Sequence, residues 1–274
     1  MGSAAAPDPL ERQAELAVGR RTMTCLTLGL LLSCAVAVPV AVAQRPRVEL
    51  DHVFIVVTPG ARAEIAALRA AGLTVPAEQP RRHEGQGTSS IAAYFENAYL
   101  ELIWVDSTVS VTPEHARTAR WFHDAGSWRT NRHSPFGLGL RRLPGDTAAL
   151  PVPVEREAAA SLEPGAAYEL LHQPGDSLAA DFFVVPATAA VPRWIARARQ
   201  REPGLWQHSA GGREITLVRV HGSPEQHPYA LRVLRPSRIE AHDSPTPFLE
   251  LLIDRGTRGQ RVDLRPTLPL VIIR

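Results

Sequence analysis

The sequence predicts an α+β protein that is built from repeated β-α-β-β-β modules. The stretch VELDHVFIVV is β-branched and apolar on both faces, which is typical of a strand covered on two sides. The next stretch, ARAEIAALRAAG, places Ile65, Leu68 and Leu73 on one side of a helix that Gly72 ends. The patterns LTVPAEQ, SSIAAYFE and AYLELIWV then read as strands, with a polar turn RRHEGQGT after the first of them. A later stretch, FLELLIDRG, echoes YLELIWVDS, so we expect the unit to recur.

Three blocks follow one another along the chain. The first module spans about residues 48–106, and a weaker copy, which includes FGLGLRR, AYELLHQ and ADFFVV, spans about 134–186. Helical connectors, PEHARTARWFHDAG and VPRWIARARQREPG, accompany them, and together these parts form a predicted domain over residues 44–220. A third strand-rich block, residues 213–274, is expected to pack on it. That block either completes a barrel within the chain or pairs with a second copy, as in a homodimer.

The first 43 residues differ from the rest of the chain. A polar start ends in Arg20-Arg21 and runs into an apolar segment that closes on Ala41-Val42-Ala43, a small-x-small pattern before Gln44. This pattern predicts a cleaved export signal and therefore a periplasmic or extracellular protein. The GRRTMTCL run resembles a twin-arginine signal. A membrane anchor is the alternative, because the apolar segment is about long enough to span a thin bilayer.

Composition excludes several classes of function. The net charge is +2, from 30 basic residues that are all arginine and 28 acidic residues, so we expect no nucleic-acid partner. Both cysteines, Cys25 and Cys34, fall in the N-terminal segment, which leaves the mature chain without thiol chemistry. The sequence also lacks a G-x-S-x-G elbow, a P-loop, an H-E-x-x-H motif and a dinucleotide fingerprint.

Glu101 is an ionisable residue in the middle of a strand that otherwise reads as buried. Alternation predicts one face with Leu50, His52, Phe54 and Val56 and another with Tyr99, Glu101, Ile103 and Val105. We therefore expect His52 and Glu101 to point into one cavity. A buried carboxylate needs a partner, and imidazole with carboxylate suits Zn²⁺, Mn²⁺, Fe²⁺ or Ni²⁺. The alternatives are a core hydrogen bond between the two residues, or a Glu101 that faces solvent.

Further candidates surround this pair. His83 opens HEGQGT, where Gly85 and Gly87 permit a tight turn and the Thr88 hydroxyl can donate to a ligand. His208, in WQHSAGG, is a candidate additional contact. Four aromatic residues are expected near the cavity, namely Tyr94, Phe95, Trp104 and Trp206. Three other histidines are expected on the surface, namely His115, His123 and His227.

The motifs LDHVFIVV, HEGQGT and YLELIWV, with QHSAGGREITLVRV further on, resemble the vicinal oxygen chelate (VOC) superfamily and its glyoxalase-like domain family. The resemblance spans about Val48–Val220. It implies that paired modules curve into a half-barrel around one cavity, with a divalent metal on the first and last strands of a module. The copies depart from that pattern. In the second module, Gly137 stands at the position of His52 and Asp181 at that of Glu101. In the third block, Leu217 stands at the position of His52 and Glu250 at that of Glu101.

The resemblance implies a divalent-metal-dependent enzyme of the isomerase, lyase or dioxygenase type that acts on a small oxygenated molecule, and the N-terminal segment adds that this enzyme is exported. His52 and Glu101 would hold a metal whose identity stays open among Zn, Mn, Fe and Ni, and Glu101 and His83 would be catalytic. Thr88, Trp104 and His208 would contact the substrate. The alternatives are a non-catalytic protein that binds or sequesters a small molecule, and an envelope protein whose half-barrel mediates assembly.

Overall fold

A large curled sheet and a smaller sheet make up the part of the chain that the computed structural model describes, residues 46–76, 80–172 and 175–274. The chain divides into two units, Met1–Val42 and Ala43–Arg274, and only the second is described. The predicted export signal or membrane anchor over residues 1–43 therefore lies outside the described residues. Among the described helices, none has the length and apolar character needed to span a membrane.

The large sheet has eight strands and confirms the α+β class. They are β1 (Val48–Val56), β2 (Arg81–His83), β3 (Thr88–Tyr94), β4 (Tyr99–Val105), β5 (Phe136–Arg142), β6 (Glu155–Glu157), β7 (Tyr168–Leu170) and β8 (Asp181–Val184). Their order in the sheet is β2-β3-β4-β1-β5-β8-β7-β6. At the centre, β1 and β5 pair antiparallel, and each is parallel to the last strand of its own module, β4 or β8. The two modules thus meet along their first strands and form a half-barrel.

Among the described residues, five α-helices accompany the sheets. They are α1 (Arg62–Ala70), α2 (Ala116–Gly126), α3 (Trp128–Asn131), α4 (Val191–Arg201) and α5 (Tyr229–Leu234). The predicted connectors are observed as α2 and α4. The second module departs from the β-α-β-β-β pattern, because residues 143–154, all of them described, contain no helix between β5 and β6. This loop includes Pro144, Pro151 and Pro153, whose fixed backbone and missing N–H oppose a helix.

The second strand of the first module differs from its prediction. The stretch LTVPAEQ was expected to be a strand, but residues 73–76 are irregular and the strand is Arg81–His83, inside the predicted polar turn. It pairs antiparallel with β3, with His83 opposite Thr88. Gly85 and Gly87 have φ of 87° and 76°, in the left-handed region, and so allow the chain to return in this hairpin. The hairpin places His83 on the sheet.

The third block forms its own five-stranded sheet. Its strands are β9 (Ile215–Gly222), β10 (Ile239–Asp243), β11 (Phe248–Ile253), β12 (Arg261–Asp263) and β13 (Leu270–Ile273), in the order β10-β9-β11-β13-β12. The match of Leu217 and Glu250 with His52 and Glu101 is wrong, because β9 and β11 pair antiparallel whereas β1 and β4 pair parallel. Glu250 instead forms ion pairs with two arginines, Arg219 at 2.6 Å and Arg261 at 2.9 Å.

The two faces of the large sheet have different surroundings. On the convex face, Val53 and Leu100 share a buried core with Val218 and Leu249 of the small sheet. The concave face carries a second cluster, which includes Phe54, Val56 and Ile103 of the sheet and Phe122 of α2. The small sheet therefore packs on the convex face and leaves the concave face to form a cleft.

A register shift in β1 places Leu50 on the face opposite to the one that alternation predicts. Leu50 was expected beside His52, but it packs in the core on the convex face with Val53 and Ile55. The pairing of β1 with β5 shifts between Leu50 and His52, as in a β-bulge, so the alternation changes phase at this point. Asp51 and His52 consequently lie at the irregularity, next to the concave face.

Candidate functional site

A cleft on the concave face consists of two adjoining cavities of about 510 Å³ and 310 Å³, which we call the first and second lobes. Side chains that line both cavities form the boundary between the lobes, which we call the waist. The waist residues are His52, Arg81, Tyr99, Glu101, Ser161 and Tyr168. Cavities of this size accommodate small organic molecules, and the two candidate site residues, His52 and Glu101, lie where the lobes meet.

Aromatic rings form one wall of the first lobe. Tyr94 of β3 stacks on Trp206 with ring centroids 5.2 Å apart, and Trp194 of α4 packs at 6.0 Å from Tyr94 and 5.9 Å from Tyr99. Tyr94 and Tyr99 are neighbours because they are register partners on β3 and β4. The lobe therefore offers a broad apolar wall that suits a flat ligand group.

The second lobe combines an apolar floor with charged groups of both signs, including the guanidinium groups of Arg81 and Arg82. Phe54, Phe122 and Phe183 form part of its lining, and Phe54 packs 5.6 Å from Phe122 and 6.3 Å from Phe183 between ring centroids. Four carboxylates also line it, those of Glu84, Glu101, Glu157 and Asp181. Burial raises the pKa of Glu157, against the opposing effect of a hydrogen bond from the Thr118 hydroxyl. This lobe therefore presents both hydrogen-bond acceptors and donors above an apolar surface.

His52 is held by a carboxylate. Its Nδ1 lies 3.0 Å from Oδ1 of Asp51, which is 1% exposed. The other oxygen, Oδ2, accepts a hydrogen bond from the backbone N–H of Val191 at the start of α4, 2.7 Å away, and lies 3.6 Å from the Arg141 guanidinium. A carboxylate accepts hydrogen bonds, so the Nδ1 of His52 donates and the Nε2 is left as an acceptor. The Asp51 carboxylate thus fixes both the tautomer and the orientation of the imidazole.

Two glycines of β5 make room for the rings of β1. A Cβ atom at Gly139 would lie 2.4 Å from the His52 Cε1, and one at Gly137 would lie 2.0 Å from the Phe54 ring. On its other side, the His52 ring stacks on Tyr99 at 4.4 Å with an interplanar angle of 8°. The imidazole is therefore held between a glycine surface and a phenol ring.

The predicted match of Gly137 with His52 is shifted by two residues. In the first module Phe54 is the register partner of Glu101, and in the second module Gly137 is the register partner of Asp181. Gly137 therefore corresponds to Phe54.

Glu101 has a histidine partner. Its Oε1 lies 3.5 Å from Nε2 of His83, and the same nitrogen lies 2.9 Å from the Ser90 hydroxyl. Burial acts to raise the pKa of Glu101, but hydrogen bonds from His83 and Ser90 and the positive charges of His83 and His52 lower it to about 2. Glu101 is therefore a permanent negative charge at neutral pH.

Two tyrosines at the waist remain protonated. Burial, and then the negative charges of Glu101 and Asp51, raise the pKa of Tyr99 well above 10. Burial also raises the pKa of Tyr168, which interacts with Glu101 and Arg81 as well. Neutral phenols are hydrogen-bond donors, so both can stabilise negative charge on a ligand oxygen.

The structure brings His52, His83 and Glu101 to the cleft but places the three predicted substrate contacts elsewhere. Trp104 is buried in the core on the convex face, since it alternates with Glu101 and Ile103. The Thr88 hydroxyl donates to Gln86 Oε1 at 2.7 Å. His208 accepts from the Thr74 N–H at 3.0 Å and donates to the Tyr94 carbonyl at 3.1 Å, so both ring nitrogens are engaged in holding the backbone.

Several other predictions are corrected. His115 and His227 were expected on the surface, but they are 8% and 7% exposed, and His115 lines the second lobe. Of the aromatic residues expected near the cavity, Tyr94 and Trp206 line the first lobe whereas Phe95 belongs to the core on the convex face. Sequence reasoning missed Asp51 as the partner of His52. The sequence shows that Asp51 directly precedes His52, but no sequence pattern predicts the bulge that turns the Asp51 side chain toward the imidazole.

The donor set of the cleft does not fit a resident divalent metal. Over residues 46–76, 80–172 and 175–274, no three His, Cys, Asp or Glu side chains converge in a way that could hold an ion. His52 contributes one free nitrogen, and the Nε2 of His83 is already close to Ser90 and Glu101. Metal sites with this chemistry use three or four protein donors, so the predicted pair of His52 and Glu101 is incomplete.

Comparison with known proteins gives one family. The glyoxalase-like domain family matches residues 50–234. A search of curated proteins gives no match. Among solved structures, the chain is similar to a hypothetical protein from Staphylococcus aureus, with 10% sequence identity, a TM-score of 0.47, and coverage of 82% of this chain and 98% of the other.

Proposed function

Because the chain belongs to the glyoxalase-like domain family of the VOC superfamily, we propose that it is an enzyme that moves a proton on a small oxygenated molecule bound in the cleft. One observation carries this proposal. The buried Asp51 carboxylate orients His52 at 3.0 Å, at the waist where two neutral tyrosines also lie. A carboxylate that fixes an imidazole tautomer is the arrangement that makes histidine an effective general base.

The proposed step needs only residues of this chain. Nε2 of His52 takes a proton from the carbon next to a substrate carbonyl, and the electron pair of the broken C–H bond moves onto the carbonyl oxygen. The hydroxyls of Tyr99 and Tyr168 donate to that oxygen as its charge develops. In a hydroxyketone, the imidazolium then returns the proton to the former carbonyl carbon while the proton of the substrate hydroxyl moves to the former carbonyl oxygen, so that the carbonyl and the hydroxyl exchange places, which gives an isomerase. In a substrate with a leaving group on the next carbon, the electron pair returns from the oxygen, a C=C bond forms, the bond to the leaving group breaks, and that group takes the proton, which gives a lyase.

Glu101 has a different role in this proposal from the proton transfer expected from the sequence. With a pKa of about 2, its carboxylate is too weak a base to take a proton efficiently near neutral pH. Its negative charge instead stabilises the imidazolium that forms on His52. His83 holds Glu101 in place and is a positioning residue. These roles are supported by the contacts of Glu101 with His83 and Ser90 and by its electrostatic interaction with His52.

The reaction types that the resemblance implies make different demands on this cleft. Isomerase and lyase steps require a base and donors to an oxyanion, which the waist supplies. Ring-opening dioxygenation would require three donors around one Fe²⁺, and the donor set does not fit that ion. Metal-dependent catalysis is for the same reason not part of the proposed mechanism.

Hydrogen–deuterium exchange at carbon tests the proposal. The protein is incubated in D2O with a panel of hydroxyketones and 2-oxo acids, and loss of C–H signals is followed by proton NMR. At least one compound should exchange with wild type, and His52→Gln, which keeps a similar size without a base, should slow that exchange by 100-fold or more. Exchange that is equally fast in His52→Gln would contradict the assignment of the base.

A non-catalytic binding protein is the second candidate. The aromatic wall of the first lobe, formed by Tyr94, Tyr99, Trp194 and Trp206, favours it because such a surface binds flat molecules without any reaction. The two candidates differ in one outcome. A ligand that binds tightly in the cleft and shows no carbon exchange, in wild type or any variant, supports the binding protein.

Export is also proposed, and only the sequence of residues 1–43 supports it. The small-x-small pattern before Gln44 predicts the site of cleavage. N-terminal sequencing of the protein purified from its native cell should therefore find Gln44 at or near the first position. A protein that retains the apolar segment would indicate the membrane anchor instead.

A further inference from the structure

We propose that the substrate is an elongated, two-armed molecule, with a flat apolar arm in the first lobe, an uncharged hydroxyl-bearing arm in the second, and the reacting oxygenated group at the waist. The inference rests on the proposed function for the position of the reacting group. It is carried by the two-lobed form of the cleft, by the aromatic wall of the first lobe and by the hydrogen-bonding groups above the phenylalanine floor of the second.

The dimensions of the cleft argue for two arms. The candidate base, His52, lines both lobes, so a ligand that reaches it from one lobe leaves the other lobe empty. A molecule of three or four carbon atoms would fill only a small part of either the 510 Å³ or the 310 Å³ cavity. Ligand sites usually enclose most of the ligand surface, so a substrate that extends into both lobes fits this cleft better.

One wall of the first lobe favours a flat apolar arm, and polar side chains, among them Arg81, Ser90 and Glu202, line the rest of it. One continuous segment, residues 185–206, supplies much of its wall, and most of the side chains that it contributes are apolar. They are Val185, Ala189, Trp194, Ala198, Leu205 and Trp206. Together with Tyr94 and Tyr99 of the sheet, this wall offers ring faces and edges to a flat group.

The second lobe selects a neutral arm with hydrogen-bond donors. Its carboxylates would attract a cation if they were free, but three of them pair with an arginine or a histidine, the fourth is held by a hydroxyl, and the guanidinium groups of Arg81 and Arg82 line the same lobe. The pairs are Glu84 with Arg82 at 3.0 Å, Asp181 with His172 at 3.2 Å, Glu101 with His83 at 3.5 Å, and Glu157 with the Thr118 hydroxyl. Carboxylate oxygens retain acceptor capacity in such pairs. Hydroxyl groups can use that capacity while the carbon face of the same arm packs on Phe54, Phe122 and Phe183.

Phenyl β-D-glucopyranoside is a suitable probe because it joins a flat arm and a hydroxyl-bearing arm through one oxygen. Its two halves are represented by phenol and methyl β-D-glucopyranoside. Binding is measured by calorimetry and by saturation-transfer NMR. We expect the two-armed probe to bind at least 10-fold more tightly than either half, and both halves to bind together without displacing each other.

Two variants address the lobes separately. Trp194→Ala should weaken phenol and the two-armed probe at least fivefold and leave methyl glucoside unchanged, with Trp128→Ala in α3 as the matched control. Glu157→Gln should weaken methyl glucoside and the two-armed probe and leave phenol unchanged. Its control is Glu225→Gln, which changes a surface ion pair with Arg132.

Three results would overturn the inference: displacement of one half by the other, a two-armed probe that binds no better than its best half, and no binding of any probe at millimolar concentration. The test is separate from that of the proposed function. Independent binding of the halves without carbon exchange on any substrate would remove the enzyme and keep the two-armed site. Carbon exchange on a substrate, together with halves that displace each other, would keep the enzyme and remove the two-armed site.

Discussion

His83 Nε2 lies 3.5 Å from Glu101 Oε1, which joins the edge hairpin of the large sheet to the middle of β4. This pair explains how a carboxylate remains ionised in a buried strand. The histidine supplies a hydrogen bond and, when protonated, a positive charge, and the Ser90 hydroxyl contributes a second hydrogen bond. The relationship gives Glu101 a pKa that stability measurements can detect.

Glu101→Gln should change how stability depends on acid. The pKa of Glu101 falls from 4.5 to about 2 on folding, so its ionised form stabilises the fold above pH 4.5, and this contribution is lost as the pH falls toward 2. The contribution is on the order of 3 kcal/mol. Urea unfolding of wild type at several pH values should show a steeper loss of stability between pH 4.5 and 2 than the variant shows.

The control for this measurement is Glu225→Gln, because Glu225 pairs with Arg132 at the surface, where both side chains are exposed. It should retain the slope of wild type. Equal slopes for wild type and Glu101→Gln would show that Glu101 is not held as an ionised group.

Asp51→Asn should reverse the tautomer of His52 with little change in shape. The asparagine oxygen can accept the Val191 N–H, and its amide then faces the His52 Nδ1, which must become an acceptor. The Nε2 consequently carries the proton and no longer acts as a base. We expect carbon exchange to fall by 100- to 10,000-fold. ¹⁵N NMR should show the change of tautomer, which a merely structural role for Asp51 would not produce. If the tautomer reverses and the rate of carbon exchange stays that of wild type, the mechanism is contradicted.

Gly139→Ala should displace the His52 ring. The added Cβ would lie 2.4 Å from Cε1 and 2.7 Å from Nδ1 of the imidazole. Overpacking of this kind costs about 1–3 kcal/mol, and carbon exchange should fall at least 10-fold because the base moves from its position. Thermal melts and exchange rates measure the two effects. Gly204→Ala is the matched control, since a Cβ at that position meets no atom within 4 Å; a Gly139→Ala protein with the stability and rate of wild type would refute the close packing of His52.

Divalent metals should leave the stability of the protein unchanged. A ligand that binds only the folded state raises the melting temperature, and the cleft offers His52 and Glu101 without a third converging donor among the described residues. Melts of the purified protein with Mn²⁺, Zn²⁺ or Ni²⁺, and after treatment with a chelator, should therefore coincide. A rise with one ion in wild type that is absent in Glu101→Gln would restore the metal site expected from the sequence.

Local alternation explains which parts of the fold and the site the sequence could predict. Period two placed Phe54, Glu101 and Ile103 correctly, because the direction of a side chain in a regular strand depends only on its position. The same rule places Trp104 on the convex face, so alternation alone argues against Trp104 as a substrate contact. Leu50 was misplaced because a bulge changes the phase, and the sequence has no distinct signal for that bulge.

Contacts between distant residues account for most of what the sequence could not predict. Asp51 is oriented by Val191, 140 positions away, and His208 is engaged by Thr74, 134 positions away. Such partners depend on how the modules pack, which composition and periodicity do not encode. From the sequence alone, a histidine in a polar stretch that contacts a ligand therefore cannot be distinguished from one that hydrogen-bonds to the backbone.

The most direct test of the account compares two titrations. The Cε1 proton of His52 is followed by NMR as a function of pH, and the rate of carbon exchange is measured over the same range in the same buffer. If His52 is the base, the rate rises with pH at the midpoint of the His52 titration, and both the signal and the pH-dependent rate are lost in His52→Gln. A rate whose midpoint differs from that of His52, or one that persists in His52→Gln, would contradict the claim that this imidazole moves the proton.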